Sequence, residues 1–252
     1  MRTQPSSIKE VDRMEPPFLT RHEGSFLTLD QTAIDHRDMP YLKTYEFPGR
    51  FIDDTHQALT SKLNREGMID LGIEGWLIPA DALKLYEMVY FCNGDVLELG
   101  TYRGLSASIA LEASLRARLD NVIVSIDLSG DETESARENL REKPGAERVH
   151  LFTVEAAQAV RDLAQSKRMF DFAFIDHSHQ YEHVFDVCKS LHRVIKLGSF
   201  ALFHDFNDPR NSSPTALDYG VYQGVLDGLD DRRFEFWGIY GCTGLFRRIG
   251  PF

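Results

Sequence analysis

From about residue 72 onward, the spacing of apolar positions alternates between two periods. Leu83, Tyr86 and Met88 or Val89 share one face of GWLIPADALKLYEMVYF, which has Pro79 at its start and Asp81 in its first turn, so this stretch predicts a helix. After the Asn93-Gly94 break, Val96, Leu97 and Leu99 predict a short buried strand that stops at Gly100. Leu105, Ile109, Leu111 and Leu115 then recur at helical intervals, with Ala107 and Ala110 between them. The alternation continues with strands in NVIVSIDLS, VHLFTVEA, FDFAFIDHS and SFALFHDF. Helices are predicted in ESARENLREK, AAQAVRDLAQSK, EHVFDVCKSLHRVIK and near residues 216–228. FEFWGIY and GLFRRI, joined through GCTG, predict an antiparallel hairpin at one sheet edge. The expected fold is α/β: a doubly wound, mostly parallel seven-stranded sheet with helices on both faces and an antiparallel C-terminal hairpin.

Residues 1–70 break this pattern. They are polar, weakly periodic and punctuated by Pro16-Pro17 and Asp53-Asp54, which predicts an N-terminal arm or partial lid ahead of a folded domain over 71–252. A chain of 252 residues with 42% hydrophobic content can bury a sizeable core as one domain plus such an appendage. The net charge of −11 and the lack of a dense Lys/Arg stripe argue against nucleic acid as a partner. No apolar signal core or membrane-length run is present, so the expectation is a cytoplasmic protein without a membrane partner. Cys92, Cys188 and Cys242 are widely separated and lack metal-site spacing, which fits free thiols in a reducing compartment.

Ligands of open α/β sheets bind outside the carboxyl ends of the strands. Here every such end presents an acid: Glu98, Asp127, Glu155, Asp176 and Asp205, the last preceded by His204. The turn after the first strand reads Gly100-Thr-Tyr-Arg-Gly104, and its backbone N–H groups can accept an electron-rich ligand group or can serve an ordinary strand-to-helix connection. A dinucleotide site wants a glycine where Tyr102 stands, and Glu98 would repel a pyrophosphate. An NAD-dependent oxidoreductase is therefore disfavoured. A nucleoside with a positively charged tail suits Glu98, and Asp127 stands where an acid can accept both hydroxyls of a ribose.

Taken in order, VLELGTYRGLSAS, VSIDLS, FAFIDHSHQYEHV and LFHDF resemble the class I S-adenosylmethionine-dependent methyltransferases, whose fold is Rossmann-like. The small-molecule branch similar to methyltransferase domain 24 and the cephalosporin-hydroxylase-like families is the nearest likeness, over about residues 72 to 248. The resemblance implies S-adenosylmethionine as cofactor. Glu98, Gly100 and Gly104 would line its methionine part, Asp127 would bind its ribose, and Glu155 and Ala156 would sit beside its adenine, with Thr101, Ser106 and Asp176 also expected among the cofactor-binding residues. It implies a small-molecule or sugar acceptor methylated on a hydroxyl, and leaves room for a homo-oligomer.

Two routes for the acceptor proton follow. His204, expected at the end of a buried strand, or His179 acts as general base, with Asp205 beside them. Alternatively Asp176, His204 and Asp205 hold Mg2+ or Mn2+, which binds the acceptor oxygen. The family's ID-G-D-H-S-Y reads here as Asp176-His-Ser-His179-Gln-Tyr181, and Phe206 follows Asp205 where related catechol-type enzymes carry Asn, with Asn207 one place later. That departure motivates a runner-up: a non-catalytic nucleoside-binding or assembly protein. His177, His183 and His192 are expected on the surface or on helix faces. Trp76, Trp237 and Tyr240 could build an acceptor pocket or simply fill the core.

Overall fold

The computed structural model describes residues 58, 59, 61–92 and 94–250. The arm expected over residues 1–70 therefore falls largely outside the described residues. Among them, seven strands form one sheet in the order β3-β2-β1-β4-β5-β7-β6. The strands are β1 (Val96–Leu99), β2 (Ile123–Asp127), β3 (Val149–Thr153), β4 (Phe170–Ile175), β5 (Ile195–Phe203), β6 (Phe234–Tyr240) and β7 (Thr243–Arg248). The first five run parallel, whereas β7 is antiparallel to both β5 and β6. The C-terminal hairpin thus lies at one edge as predicted, with its second strand on the inside.

Among the described residues, six complete α-helices alternate with the strands: α1 (Pro79–Tyr90), α2 (Leu105–Arg116), α3 (Gly130–Leu140), α4 (Ala156–Gln165), α5 (Tyr181–Leu191) and α6 (Val221–Gly228). Strand alternation divides the core. Val96, Phe172, Phe174 and Leu202 pack with α1 and α2, while Leu97, Leu99, Ala173, Ile175 and Phe203 pack with α4, α5 and α6. Burying an aromatic such as Phe172 or Phe174 is worth about 1.5–3 kcal/mol, so these two layers clamp the parallel strands from either side. The chain winds outward from β1 to β2 and β3, then returns to the other side of β1 as β4. The carboxyl ends of β1 and β4 therefore flank the point where the winding reverses, and a crevice opens there.

Two boundaries differ from the sequence prediction. EHVFDVCKSLHRVIK was expected to be helical throughout, but α5 stops at Leu191 and β5 begins at Ile195. Ile195 pairs with Phe170 of β4, and its β-branched side chain is buried, so long-range pairing overrides the local helical spacing. The helix expected near residue 216 starts at Val221. Among the described residues no helix is long and apolar enough to cross a membrane, and all three cysteines are free thiols.

Candidate active site

The turn after β1 is built by close packing. At Gly100, with φ +99°, an added Cβ would lie 2.0 Å from the Asp176 carbonyl oxygen, so glycine lets the ends of β1 and β4 touch. Gly104, with φ +87°, ends the turn and caps α2, and a Cβ there would meet Ala136 of α3 at 3.2 Å. Tyr102 takes a left-handed conformation between them, φ +44°. Its backbone N–H donates to Asp127 Oδ2 at 2.8 Å, and Ser129 N–H donates to Asp127 Oδ1 at 2.8 Å. Each carboxylate oxygen keeps acceptor capacity beyond these bonds.

Glu98 lies beneath the turn and lines neither of the cavities described next. Ser125 donates to its carboxylate, and Thr101 hydrogen-bonds Ser125 at 2.6 Å. Burial pushes the Glu98 pKa up to about 7, against the opposing bonds from Ser106 and Ser125.

A cavity of about 590 Å3 opens outside β1 and β2, lined by Asp127, Leu128, Glu155, Ala156 and the 215–219 segment. Glu155 spends its carboxylate on the α4 N-terminus, accepting from Ala157 N at 2.8 Å and Gln158 N at 2.7 Å. A second cavity of about 720 Å3 is lined by Trp76, Asp81, Thr101, Tyr102, Ser106, Asp176, His204, Asp205 and Asn207, among others. The two share Gly100, Asp127, His177 and His179, so they adjoin at the switch point.

Four side chains from three elements converge on the second cavity. His204 Nδ1 lies 3.2 Å from Asp176 Oδ1 and 3.3 Å from Asp205 Oδ2, and its Nε2 lies 3.4 Å from Asp81 Oδ2. The last separation exceeds an ordinary hydrogen bond, so that contact is electrostatic. Burial opposes a charge on His204, but the three carboxylates outweigh it and hold its pKa well above the usual imidazole range. Burial raises Asp81. Burial also works to raise Asp205, yet bonds from His179 and His204 hold its carboxyl well below the usual range.

His179 is the exposed partner. Its side chain is 49% accessible, its Nε2 lies 2.9 Å from Asp205 Oδ2, and its ring stacks on Tyr219 at 4.8 Å. Asp205 itself has φ +59°, a costly conformation for a residue with a Cβ. The reversal drives Phe206 into the core against Phe236 and Phe246 and returns Asn207 to the cavity wall.

Residues 97–206 match a family model described as a methyltransferase domain, of the domain-24 type. The match covers 110 of the 252 residues and spans β1 to the end of β5, a segment that contributes to both cavities. Solved structures repeat the architecture of this sheet and its helices. A proposed O-methyltransferase from Klebsiella pneumoniae is similar at 19% identity, covering 81% of this chain and 92% of that one, with a TM-score of 0.56. Cofactor-bound Rv0187 from MTB is similar at 17% identity over 78% and 87% of the two chains, TM-score 0.57. An S-adenosylmethionine-dependent O-methyltransferase from Thermotoga maritima is similar at 13% identity over 73% of each chain, TM-score 0.52. At these identities the likeness is one of fold. No curated protein matches the chain significantly.

The residues expected from sequence divide by position. Gly100, Thr101, Ser106, Asp127, Asp176, His179, His204 and Asp205 line one or both cavities, as do Glu155 and Ala156, whereas Glu98 and Gly104 stand behind the cavity walls. Sequence reasoning passed over two residues. Asp81 had looked like a helix-start acid, but its Oδ1 accepts the Cys242 N–H at 2.7 Å and its Oδ2 faces His204, a contact across 123 positions with no local signal. His177, expected on the surface, lines both cavities with its Nδ1 buried and unpartnered, and burial lowers its pKa to about 4. Trp76 lines the larger cavity, while Trp237 and Tyr240 pack in the core beside α1.

Proposed function

We propose that the protein transfers the methyl group of S-adenosylmethionine to a hydroxyl oxygen of a small molecule or sugar, with His179 receiving the hydroxyl proton. The observation that carries this reading is the junction of two cavities at Gly100, Asp127, His177 and His179. A nucleoside fits the side beside Asp127, and an acceptor fits the side beside His179. The buried, unpartnered Nδ1 of His177 at that junction is a free acceptor of the kind a bound nucleoside cofactor would satisfy.

Bound S-adenosylmethionine supplies an electrophilic methyl group on a good leaving group. Asp127 orients the ribose, and the tight turn at Gly100 fixes the cleft in which donor and acceptor align. As the new oxygen–carbon bond forms and the sulfur–carbon bond breaks, His179 takes the proton, held in register by the buried Asp205 carboxylate 2.9 Å away. His204, carrying its own proton, offsets part of the negative charge of Asp81, Asp176 and Asp205 rather than acting as the base.

A second reading keeps a divalent cation, with His179 in place of the expected His204. The ligand atoms of Asp176, His179 and Asp205 lie within 4.8 Å of one another. Asn207 Oδ1, in the same cavity wall, is buried without a partner. A cation held there would lower the pKa of the acceptor hydroxyl, and the mixed nitrogen and oxygen donors suit Mn2+ better than Mg2+.

The test is to incubate the chain with methyl-labelled S-adenosylmethionine and a panel of hydroxylated acceptors, following S-adenosylhomocysteine release. Label recovered in an ether is expected. Label on nitrogen, or binding of S-adenosylhomocysteine with no turnover on any acceptor, would overturn it, the latter in favour of the non-catalytic alternative.

A further inference from the structure

The His179 side chain is half-exposed, and its Nε2 meets the buried Asp205 carboxylate at 2.9 Å. One such contact fixes a single atom of the imidazole. It leaves the ring plane to the torsion about the Cβ–Cγ bond, which for histidine is broad and sets the plane only weakly. Because Nε2 faces Asp205, the ring nitrogen that must face the acceptor is Nδ1, and its direction follows the plane of the ring. A second contact has to hold that plane.

Tyr219 makes it. The two ring centroids lie 4.8 Å apart with their planes 26° from parallel, a stacked pair. The tyrosine is itself held from two sides. The Arg210 guanidinium carbon lies 4.4 Å from the Tyr219 ring centroid, and Arg210 grips Asp208 through Nε at 2.9 Å and Nη2 at 2.8 Å, which fixes the guanidinium plane. The next residue, Gly220, donates its N–H to the His179 carbonyl oxygen at 2.7 Å, tying the segment before α6 to the turn before α5. That approach is close: a Cβ on Gly220 would lie 2.8 Å from the Tyr181 Cβ. Arg210 lines the larger cavity, Tyr219 the smaller one and His179 both, so the three stacked groups lie where the cavities join.

We infer that Tyr219 is a positioning residue for methyl transfer: its ring, steadied by Arg210, holds the plane of the His179 imidazole so that Nδ1 faces the acceptor. This rests on His179 as the proton acceptor and names the side chain that orients it. Both stacking contacts use the face of the tyrosine ring, so the ring and not its hydroxyl carries the role.

Steady-state kinetics on the full chain test it, using the hydroxylated acceptor that releases S-adenosylhomocysteine fastest and saturating S-adenosylmethionine. Tyr219→Leu should lower kcat by about 10- to 100-fold with the acceptor KM nearly unchanged. Tyr219→Phe keeps the ring face and should stay within about threefold of the wild type. Full kcat in a folded Tyr219→Leu protein, or a Tyr219→Phe protein as slow as the leucine variant, overturns the inference. If Tyr219→Leu fails to fold, Arg210→Gln decides: a severalfold fall in kcat supports the inference and an unchanged kcat overturns it. Histidine-labelled NMR needs no acceptor, the His179 signal being identified by its loss in His179→Gln. The ring-current displacement from Tyr219 should be present in the wild type and in Tyr219→Phe and absent in Tyr219→Leu, and an identical signal in all three overturns the inference. Wild-type turnover in His179→Ala overturns the proton-acceptor reading instead. Failure of every acceptor overturns the methyltransferase reading, and the NMR signal then decides by itself whether Tyr219 holds the ring.

Discussion

His179 Nε2 lies 2.9 Å from Asp205 Oδ2, joining a half-exposed ring to a buried carboxylate that His204 also approaches at 3.3 Å. The exposed ring can reach an acceptor, and the buried acid fixes its orientation. His179→Ala should lower kcat by about 10²- to 10⁴-fold, while S-adenosylmethionine affinity stays within about twofold. Steady-state kinetics with parallel calorimetry separate the two effects. Chelators should leave wild-type turnover intact; loss of turnover with unchanged cofactor affinity would instead establish the cation held by Asp176, His179 and Asp205.

Asp127 binds the Tyr102 and Ser129 N–H groups as well as facing the cavity outside β1 and β2. Asp127→Ala should therefore weaken S-adenosylmethionine binding by about 1–3 kcal/mol and also lower the melting temperature of the free protein. A variant with lowered stability and full cofactor affinity would confine Asp127 to tying down the turn.

Gly100 and Gly104 differ in what an added methyl group would meet. Gly100→Ala sets a Cβ 2.0 Å from a backbone oxygen of β4, whereas Gly104→Ala meets a side chain at 3.2 Å. Both also carry positive φ. Denaturant unfolding should show a loss of about 1–2 kcal/mol for Gly104→Ala and a larger loss for Gly100→Ala, with cofactor affinity affected chiefly by the latter. Equal stability of the two variants would contradict the close approach of β1 to β4.

Glu98 keeps its proton in the folded protein up to about pH 7, against an ordinary carboxyl value near 4.5. Its contribution to stability is complete below the unfolded value and is lost as pH rises through about 7, a fall on the order of 3 kcal/mol. Glu98→Gln, which cannot ionise, should flatten that part of the curve. Thermal or denaturant melts of the two proteins between pH 4 and 8 measure the difference, and parallel curves would mean that folding leaves the Glu98 pKa unchanged.

The sequence by itself determined the architecture and which acids stand at the carboxyl ends of its strands. Val96, Leu97 and Leu99 before Gly100, and the similar runs ending at Asp127 and Asp176, state local choices between strand and turn that tertiary packing reinforces. Because ligands gather at carboxyl strand ends, those acids could be read as site residues without knowing which strands are neighbours. Spacing could not place Ile195, where pairing with Phe170 begins a strand inside a helical pattern. It could not separate His179 from His204 either. That distinction depends on which ring is buried among three carboxylates, and one of them, Asp81, comes from a helix far away in the chain. Asp81 and Asn207 are side chains whose local sequence explains them as a helix-start acid and a turn residue. Only the packing of α1 against the β6–β7 turn, and the left-handed backbone at Asp205, turn them toward the cavity. Periodicity records which face of its own element a residue occupies, whereas burial and charge are set by elements that reach the site from elsewhere in the chain.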